Sequence, residues 1–471
     1  MLGAMGIATV APGAIELAFS GRFGFGIYRW AYLPFDVPPG VQRIRVSTSH
    51  ENFAVAGLAR NVLDLGIFGP AGYDLGNAAG FRGWSGGARD GFVISSTHAT
   101  PGYLAGPIDP GVWAVALGPV VLSPWGMAWQ VNVIMERGEC ATRPPDSAPV
   151  VASAPPSVCG ARWYRGDLHL HTVHSDGDRH LGELASAAHD SGLDFIVSTE
   201  HNTNAANRAW PACDTAGLLV IPGEEVTTRH GHWLAVGLPP GGWVDWRYGP
   251  RDGVFPRFAA EVRDAGGLVV AAHPSVPLPG AAWEFGFADV DALEVWNGRW
   301  NVDDELSLRI WQRLLRQGRR IVAVGGSDSH GKHQTVGSPQ TVVHADELST
   351  PAIVDGLRCG RSYLARSCDV ALELTAYCPS SDGVAGAGQA LRVPSDGRVT
   401  VTAVISGAPG TNVALITAEG CAERATVGSD RARLQWEVDA ASARFVRLEV
   451  REAQRRPLGA MVALTNPVWL A

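Results

Sequence analysis

The chain has 471 residues, more than one compact core needs and enough for two or three domains. Hydrophobic residues make up 46% and charged residues 18%, so the chain is globular and not disordered. The formal net charge of -8, with no Lys/Arg-rich run, argues against a nucleic-acid or anionic-membrane partner. No apolar run approaches about 20 residues, so no transmembrane span is expected. The start, MLGAMGIATVAPGAIELAFSGRF, has no basic residue before Arg22. It reads as a fraying terminus or a first strand, not as a secretory signal. The 7 cysteines form no C-x-x-C pair, which points to free thiols in a reducing, cytoplasmic setting. Cys140 and Cys159 flank a linker, and a disulfide between them is the extracellular alternative.

Residues 1–138 read as short strands between turn signals: IRVST (44–48), LDLGIFGP (63–70), GFVISST (91–97), VWAVALGP (112–119) and WQVNVIME (129–136). Val/Ile-rich alternation bounded by Gly, Pro, Asn and Asp predicts a β-sandwich. A Pro/Ala-rich linker follows at 139–161. From 162 to 367 apolar strands alternate with helical stretches. The strands are DLHLH (167–171), DFIVST (194–199), LLVIPG (218–223), HWLAVGL (232–238), LVVAAH (268–273), ALEVWN (292–297) and RIVAVGG (320–326). The helices are LGELASAAHDSG (181–192), PRFAAEVRDAGG (256–267) and DDELSLRIWQRLLRQG (303–318). Such alternation predicts an α/β region with a mostly parallel sheet, long enough to close into a β/α barrel. Residues 368–471 return to strand texture and predict a small β-sandwich-like domain.

Ten of the 14 histidines fall between His169 and His330. His169 and His171 form a His-x-His pair whose alternation puts both rings on one face, within reach of one ion. Asp176 follows in an SDG turn, and His201 ends the next strand in STEHN. Glu224 and Glu225 end the third, His232 opens HWLAVGL, His273 ends LVVAAHP, and Asp328 and His330 close GGSDSH. A lone strand-end histidine is more often structural, and His-x-His alone is a weak signal. The set as a whole points to metal, because each successive strand delivers an imidazole or carboxylate to the same edge, where α/β folds build their sites. The nitrogen and oxygen donors, with no Cys among them, suit Zn, Mn or Fe. No G-x-S-x-G elbow accompanies Ser327 and Ser329, and no Walker loop or G-x-G-x-x-G follows a strand.

The order DLHLHT–SDG, TEHN, PGEEVT, GH, AAHP, GGSDSH resembles the PHP (polymerase and histidinol phosphatase) superfamily. The flanking β modules and the segment ALTNPVWL are similar to its CehA/McbA-like metallohydrolase branch. The resemblance implies a distorted (β/α)7 barrel, flanked by the two β domains, with two to three divalent ions. It implies that His169, His171 and Asp328 hold a first ion, that Glu225, His232 and His273 hold a second, and that Asp176, His201 and His330 hold a third. Glu225 falls on the bridging carboxylate, leaving Glu224 as the variable position. Glu225, His232 and Asp328 are then the catalytic residues, and water activated at the ions is the nucleophile. Two departures stand out. Glu200 replaces the Asp that often precedes the second-motif histidine; its longer arm either orients His201 or points elsewhere, and it is not taken as a ligand. Asp176 stands where some relatives place a histidine.

Asn202 and Asn297 are candidates to hydrogen-bond a substrate, with turn roles as the alternative. Arg361, in CGRSYLARS, is a candidate partner for an anionic substrate group, with a surface or interdomain role as the alternative. Trp233, Trp243, Trp246, Trp283, Trp296 and Trp300 lie on segments near the ligands, where they either bury interdomain surface or contact an apolar substrate group. Three functions compete for a chain acting on a small molecule: a phosphoesterase, a carboxyl- or carbamate-ester hydrolase, and a metal-stabilised binding protein. Few basic residues (Arg229, Arg299, Arg361) and many aromatic ones favour the second. The sequence carries no signal for an oligomeric state.

Overall fold

The computed structural model describes residues 6–8, 13–24, 30–52, 54–55, 59–121, 124–138, 159–278, 280–394, 397–453 and 459–471. In the N-terminal region, strict alternation along Met127–Arg137 buries Met127, Trp129, Val131, Val133 and Met135. That strand is central in an antiparallel sheet with Ala14–Phe23, Val41–His50 and Gly91–Ser95. A second sheet of Ala31–Val37, Gly111–Val121, Val62–Phe68 and Phe81–Gly86 packs its Leu33, Phe35, Leu65, Ile67 and Trp113 against it. Each large apolar side chain sealed between such faces contributes roughly 1.5–3 kcal/mol over its exposed state. Residues 139–158 of the expected linker, with Cys140, lie outside the described residues, and a strand already begins at Cys159.

The central region is mixed α/β and strand-dominated. Seven strands run in the spatial order Val322–Gly326, Ala292–Asn297, Leu268–Ala271, Gly231–Val236, Leu219–Thr228, Phe195–Ser198, Cys159–Asp167. A parallel bridge joins Leu170 to Ser329, just beyond the last and first of them. The regular sevenfold strand–helix repeat expected of a (β/α)7 barrel is interrupted. Leu219–Thr228 turns straight into Gly231–Val236, which is antiparallel to both of its neighbours. A turn of two residues cannot carry the crossover helix that a parallel pair requires. Gly231 makes the turn feasible, with φ +111° and a Cβ position only 2.7 Å from the Trp283 backbone. Elsewhere helices do separate the strands. Val302–Arg316 is capped by the Asn301 side chain on the Asp303 amide and buries Leu308, Trp311, Leu314 and Leu315 at helical spacing.

One sheet continues out of this region. Cys159–Asp167 pairs with Gln340–Glu347, which pairs with Ser362–Ala365, which pairs with Met461–Thr465 of the C-terminal segment. A second sheet of Ala371–Cys378, Arg398–Ser406 and Arg431–Asp439 closes a separate apolar core over it. Asn466, in the ALTNPVWL segment, is fully buried. Its Oδ1 accepts from the Ala323 amide at 2.8 Å, and its Nδ2 donates to Ala323 O and Ser362 Oγ, both at 2.9 Å. It thereby pins the strand that leads to Asp328.

The N-terminal region packs on the central one through rings. Phe81 stacks on Trp243 at 4.4 Å, and Trp84 meets Trp246 at 4.5 Å. Thr203 Oγ1 donates to Gly102 O at 2.9 Å, and Arg89 donates to Val173 O in the loop after His171. Among the described residues, no helix is long and apolar enough to cross a membrane. Cys213, Cys359, Cys368, Cys378 and Cys421 are free.

Candidate metal centre

The two histidines of His-x-His lie just past the strand end at Asp167, not on the strand as the DLHLH pattern suggested. The cause is Asp167 itself. Its buried carboxylate accepts the amides of His169 (3.2 Å), Ser327 (2.9 Å) and Gly337 (2.7 Å), drawing the backbone off the ladder and toward the Asp328 segment. Glu225 lies inside the Leu219–Thr228 strand, not at its end, and pairs with Leu234. Alternation then sends Glu225 and Glu224 to opposite faces.

The structure brings all nine expected ligands together. Glu225 is at the centre. Its Oε2 lies 3.1 Å from His169 Nε2, 3.3 Å from His171 Nε2 and 2.9 Å from His201 Nδ1. Its Oε1 lies 2.9 Å from His232 Nδ1 and 3.1 Å from His273 Nε2. Asp328 Oδ1 is 3.4 Å from His169 Nε2 and 3.1 Å from His171 Nε2. At the solvent side, Asp176 Oδ1 is 3.3 Å from His330 Nε2 and 3.5 Å from His201 Nε2. Donor atoms within 4.8 Å of one another fall into four overlapping groups: His171, Asp176, His201 and His330; His169, His171 and Glu225; His169, His273 and Asp328; Glu225, His232 and His273. His171 therefore also faces the third set, and His273 also faces the first.

Several of these atoms have no hydrogen-bond partner. Nε2 of His169, Nε2 of His171 and Oε2 of Glu225 are buried and unpaired, although only 3.1 and 3.3 Å separate them. Buried polar atoms that converge without satisfying one another are costly in a dry interior unless a cation sits among them. The cluster's donor set could hold metal ions.

The charge pattern agrees with that fit. Burial raises the Glu225 carboxyl, but His201, His169 and His232 outweigh it and hold the group well below the usual carboxylate range. Burial lowers His169, but Asp328, Glu294 and Glu225 carry it well above the ordinary imidazole value. His201 is likewise raised to about 10 and His330 to about 9 by the facing carboxylates, against burial. His273 (φ 25°), Asp328 (φ 48°) and Asn202 (φ 55°) all sit in the left-handed region. Such backbone strain of about 1–3 kcal/mol each persists only where surroundings enforce it, commonly at functional sites.

No protein-family model and no curated protein matches the chain. Among solved structures, a two-domain protein from Bacteroides vulgatus, described as containing a predicted PHP-like metal-dependent phosphoesterase, is 19% identical. The match covers 66% of this chain and 96% of that one, with a TM-score of 0.38. An amidohydrolase from Chromobacterium violaceum is 18% identical over 36% of this chain and 89% of that one, with a TM-score of 0.26.

Residues outside the expected set hold the ligands. Glu294 takes His169 Nδ1 at 3.1 Å and the His273 amide at 2.8 Å. A single acid within the apolar run ALEVWN was its only trace in the sequence. Glu200 is no part of the cluster. It accepts the Thr172 amide at 3.1 Å and the hydroxyls of Thr172 and Ser175, fixing the loop from His171 to Asp176. Asn297 Nδ2 donates to Glu294 Oε2 at 3.1 Å and Asp328 Oδ2 at 3.3 Å, so it steadies ligands.

Other expectations change. The amide of Asn202 is spent on the Thr227 backbone, at 2.7 and 3.2 Å, and is not presented to a substrate. Arg361 pairs with Asp355 at 2.7 Å. Its carbonyl accepts the His344 amide, and His344 pairs with Trp163, four residues before Asp167 on its strand. The tryptophans mostly bury surface: Trp233, Trp246 and Trp296 are in the core, and Trp243 stacks on the N-terminal region.

Proposed function

We propose that the protein is a metal-dependent hydrolase of the PHP type, in its CehA/McbA-like branch, cleaving a carboxyl or carbamate ester of a small molecule. The observation that carries this reading is the Glu225 carboxylate set among five histidines, with unpaired donor atoms of His169, His171 and Glu225 turned toward one another. In this reading His169, His171 and Asp328 hold one ion, Glu225, His232 and His273 a second, and Asp176, His201 and His330 a third; the donors suit Zn, Mn or Fe. Divalent ions there supply Lewis acidity toward the ester oxygen and acidify water. The chain's part is placement. Glu294 fixes the orientation of the His169 ring, Asn297 steadies Asp328, and Glu200 holds the loop that carries Asp176. Glu225, His232 and Asp328 are the residues expected at the reacting atoms.

Charge supports the choice of ester. Cations close to the cluster are engaged by the protein: Arg179 by Ser329 Oγ and the Gly331 and Gln334 carbonyls, Arg89 by Val173 O. A phosphate monoester dianion in a desolvated site needs further cations, so the carboxyl or carbamate ester is favoured over the phosphoester. A panel of p-nitrophenyl acetate, carbamate and phosphate esters, run with added Zn, Mn or Fe, tests this. The carboxyl or carbamate ester is expected to show the highest kcat/KM. Preferred cleavage of the phosphate ester would overturn the ester assignment, and no metal-dependent turnover of any ester would overturn the hydrolase.

A further inference from the structure

The solvent-side ligands depend on loops more than the buried ones do. Asp176 belongs to no strand or helix, and His201 lies past the strand that ends at Ser198. Asp176 is exposed, and among the described residues its carboxylate meets only the rings of His171, His201 and His330. Those are the other ligands, so its place is set by the backbone that carries it.

Glu200 holds one side of that backbone, through Thr172 and Ser175. The N-terminal region holds the other. Arg89, in the turn between Phe81–Gly86 and Gly91–Ser95, donates to Val173 O. Among the described residues Arg89 has no acidic partner, and its Nε is buried and unpaired. A half-buried guanidinium without an acid is costly as packing alone, and its hydrogen bond goes to this loop.

The next carbonyl of the loop, His174 O, is met by Gly102. Gly102 has φ +94°, and a Cβ there would lie 2.7 Å from His174 O and 2.8 Å from Trp84 O, so glycine is what lets the two backbones come this close. The same residue reaches the segment after His201. Gly102 O accepts from the Thr203 hydroxyl at 2.9 Å and from the Trp84 amide at 3.1 Å. Thr203 is fully buried. Next to Gly102, the Tyr103 hydroxyl donates to Leu65 O at 3.1 Å and the Tyr103 ring stacks on Phe92 at 3.9 Å, which ties the turn to the core of the N-terminal sandwich. One module thus bears on both segments that carry Asp176 and His201.

We propose that the N-terminal region is part of the metal centre: Arg89 and Gly102 are positioning residues that hold the His171–Asp176 loop and the segment after His201, and so set the affinity of the ion held by Asp176, His201 and His330. This rests on the ion assignment in the reading above. A loop already held loses less freedom when the ion binds, and the saving shows as affinity.

The test is a Zn titration of the chelator-treated full chain by calorimetry. Wild type is expected to bind three ions, the weakest at Asp176. Arg89→Gln and Thr203→Val should each weaken that ion about tenfold, with the two tighter ions unchanged as an internal measure of folding. Arg89→Lys, which keeps a donor for Val173 O, should recover most of the loss. A second readout needs no metal: amide hydrogen exchange at residues 172–179 should quicken in Arg89→Gln, with exchange in Phe195–Ser198 unchanged. Either variant suffices if the other fails to fold. A selective loss of the weakest ion supports the proposal even if no ester is turned over, an outcome that counts against the hydrolase alone. Fewer than three ions in the wild type, equal weakening of all ions, or unchanged binding in both variants overturns it, and ester turnover with two ions would leave the hydrolase standing.

Discussion

Glu224 and Glu225 are neighbours on one strand and both are fully buried, yet the two faces they enter are electrostatic opposites. On the inner face five histidines meet Glu225, and they hold it ionised against the cost of burial. On the outer face Glu224 receives one hydrogen bond, from the Val244 amide at 3.0 Å, and its Oε1 has no partner. There burial pushes the carboxyl well above its usual range, and Asp245 adds to the rise. Burial is common to both acids, so the partners decide whether a buried acid serves as a charge or as a neutral packing group.

The sharpest way to break this comparison is Glu225→Gln. Removing one charge from a buried ionic cluster costs about 3–5 kcal/mol, which at about 1.4 kcal/mol per decade is on the order of 10²–10³ in metal affinity. Elemental analysis should find at least two metal ions per wild-type chain, fewer in the variant, and no measurable turnover in the variant. One ion or none in the wild type would sink the multinuclear reading.

Glu294→Gln should be intermediate. It leaves every proposed ligand in place but weakens the hold on His169 Nδ1, a loss of about 10–100-fold in metal affinity or activity. A titration of the chelator-stripped protein with Zn measures it. An unchanged affinity would mean that Glu294 does not orient the ring.

The smallest effect is expected for Glu224→Gln. A neutral amide there replaces a carboxyl that burial already keeps protonated, so kcat/KM should stay within about threefold of wild type, with full metal content. Equal losses in the Glu224 and Glu225 variants would remove the distinction between the two faces.

Much of this was legible before the fold. Ligand types recurring at the ends of apolar runs pointed to one edge of a sheet, because strand ends converge there whatever the exact strand limits. The limits themselves were less legible. DLHLH looks like a continuing strand, but Asp167 captures three amides from 2 to 170 positions away, and only two of the three lie far along the chain. PGEEVTTRHGHW has the alternation of two strands, and its Arg-His-Gly turn held the one clue that no helix follows. For Asn202, Arg361 and the tryptophans the sequence left two roles open, for a common reason. Their partners, the Thr227 backbone, Asp355 and the rings of Phe81 and Trp84, become visible only once distant segments are placed side by side.

Asn466 carries a consequence for the order in which the molecule is made. A ribosome releases the N-terminal modules first, and domains tend to fold as they emerge. The strand that leads to Asp328, however, takes two of its hydrogen bonds from a side chain synthesised more than a hundred residues later. The nascent protein would thus carry its histidines long before it could hold them in register. The Asp328 side of the cluster would take its place only after the segment around Asn466 has docked.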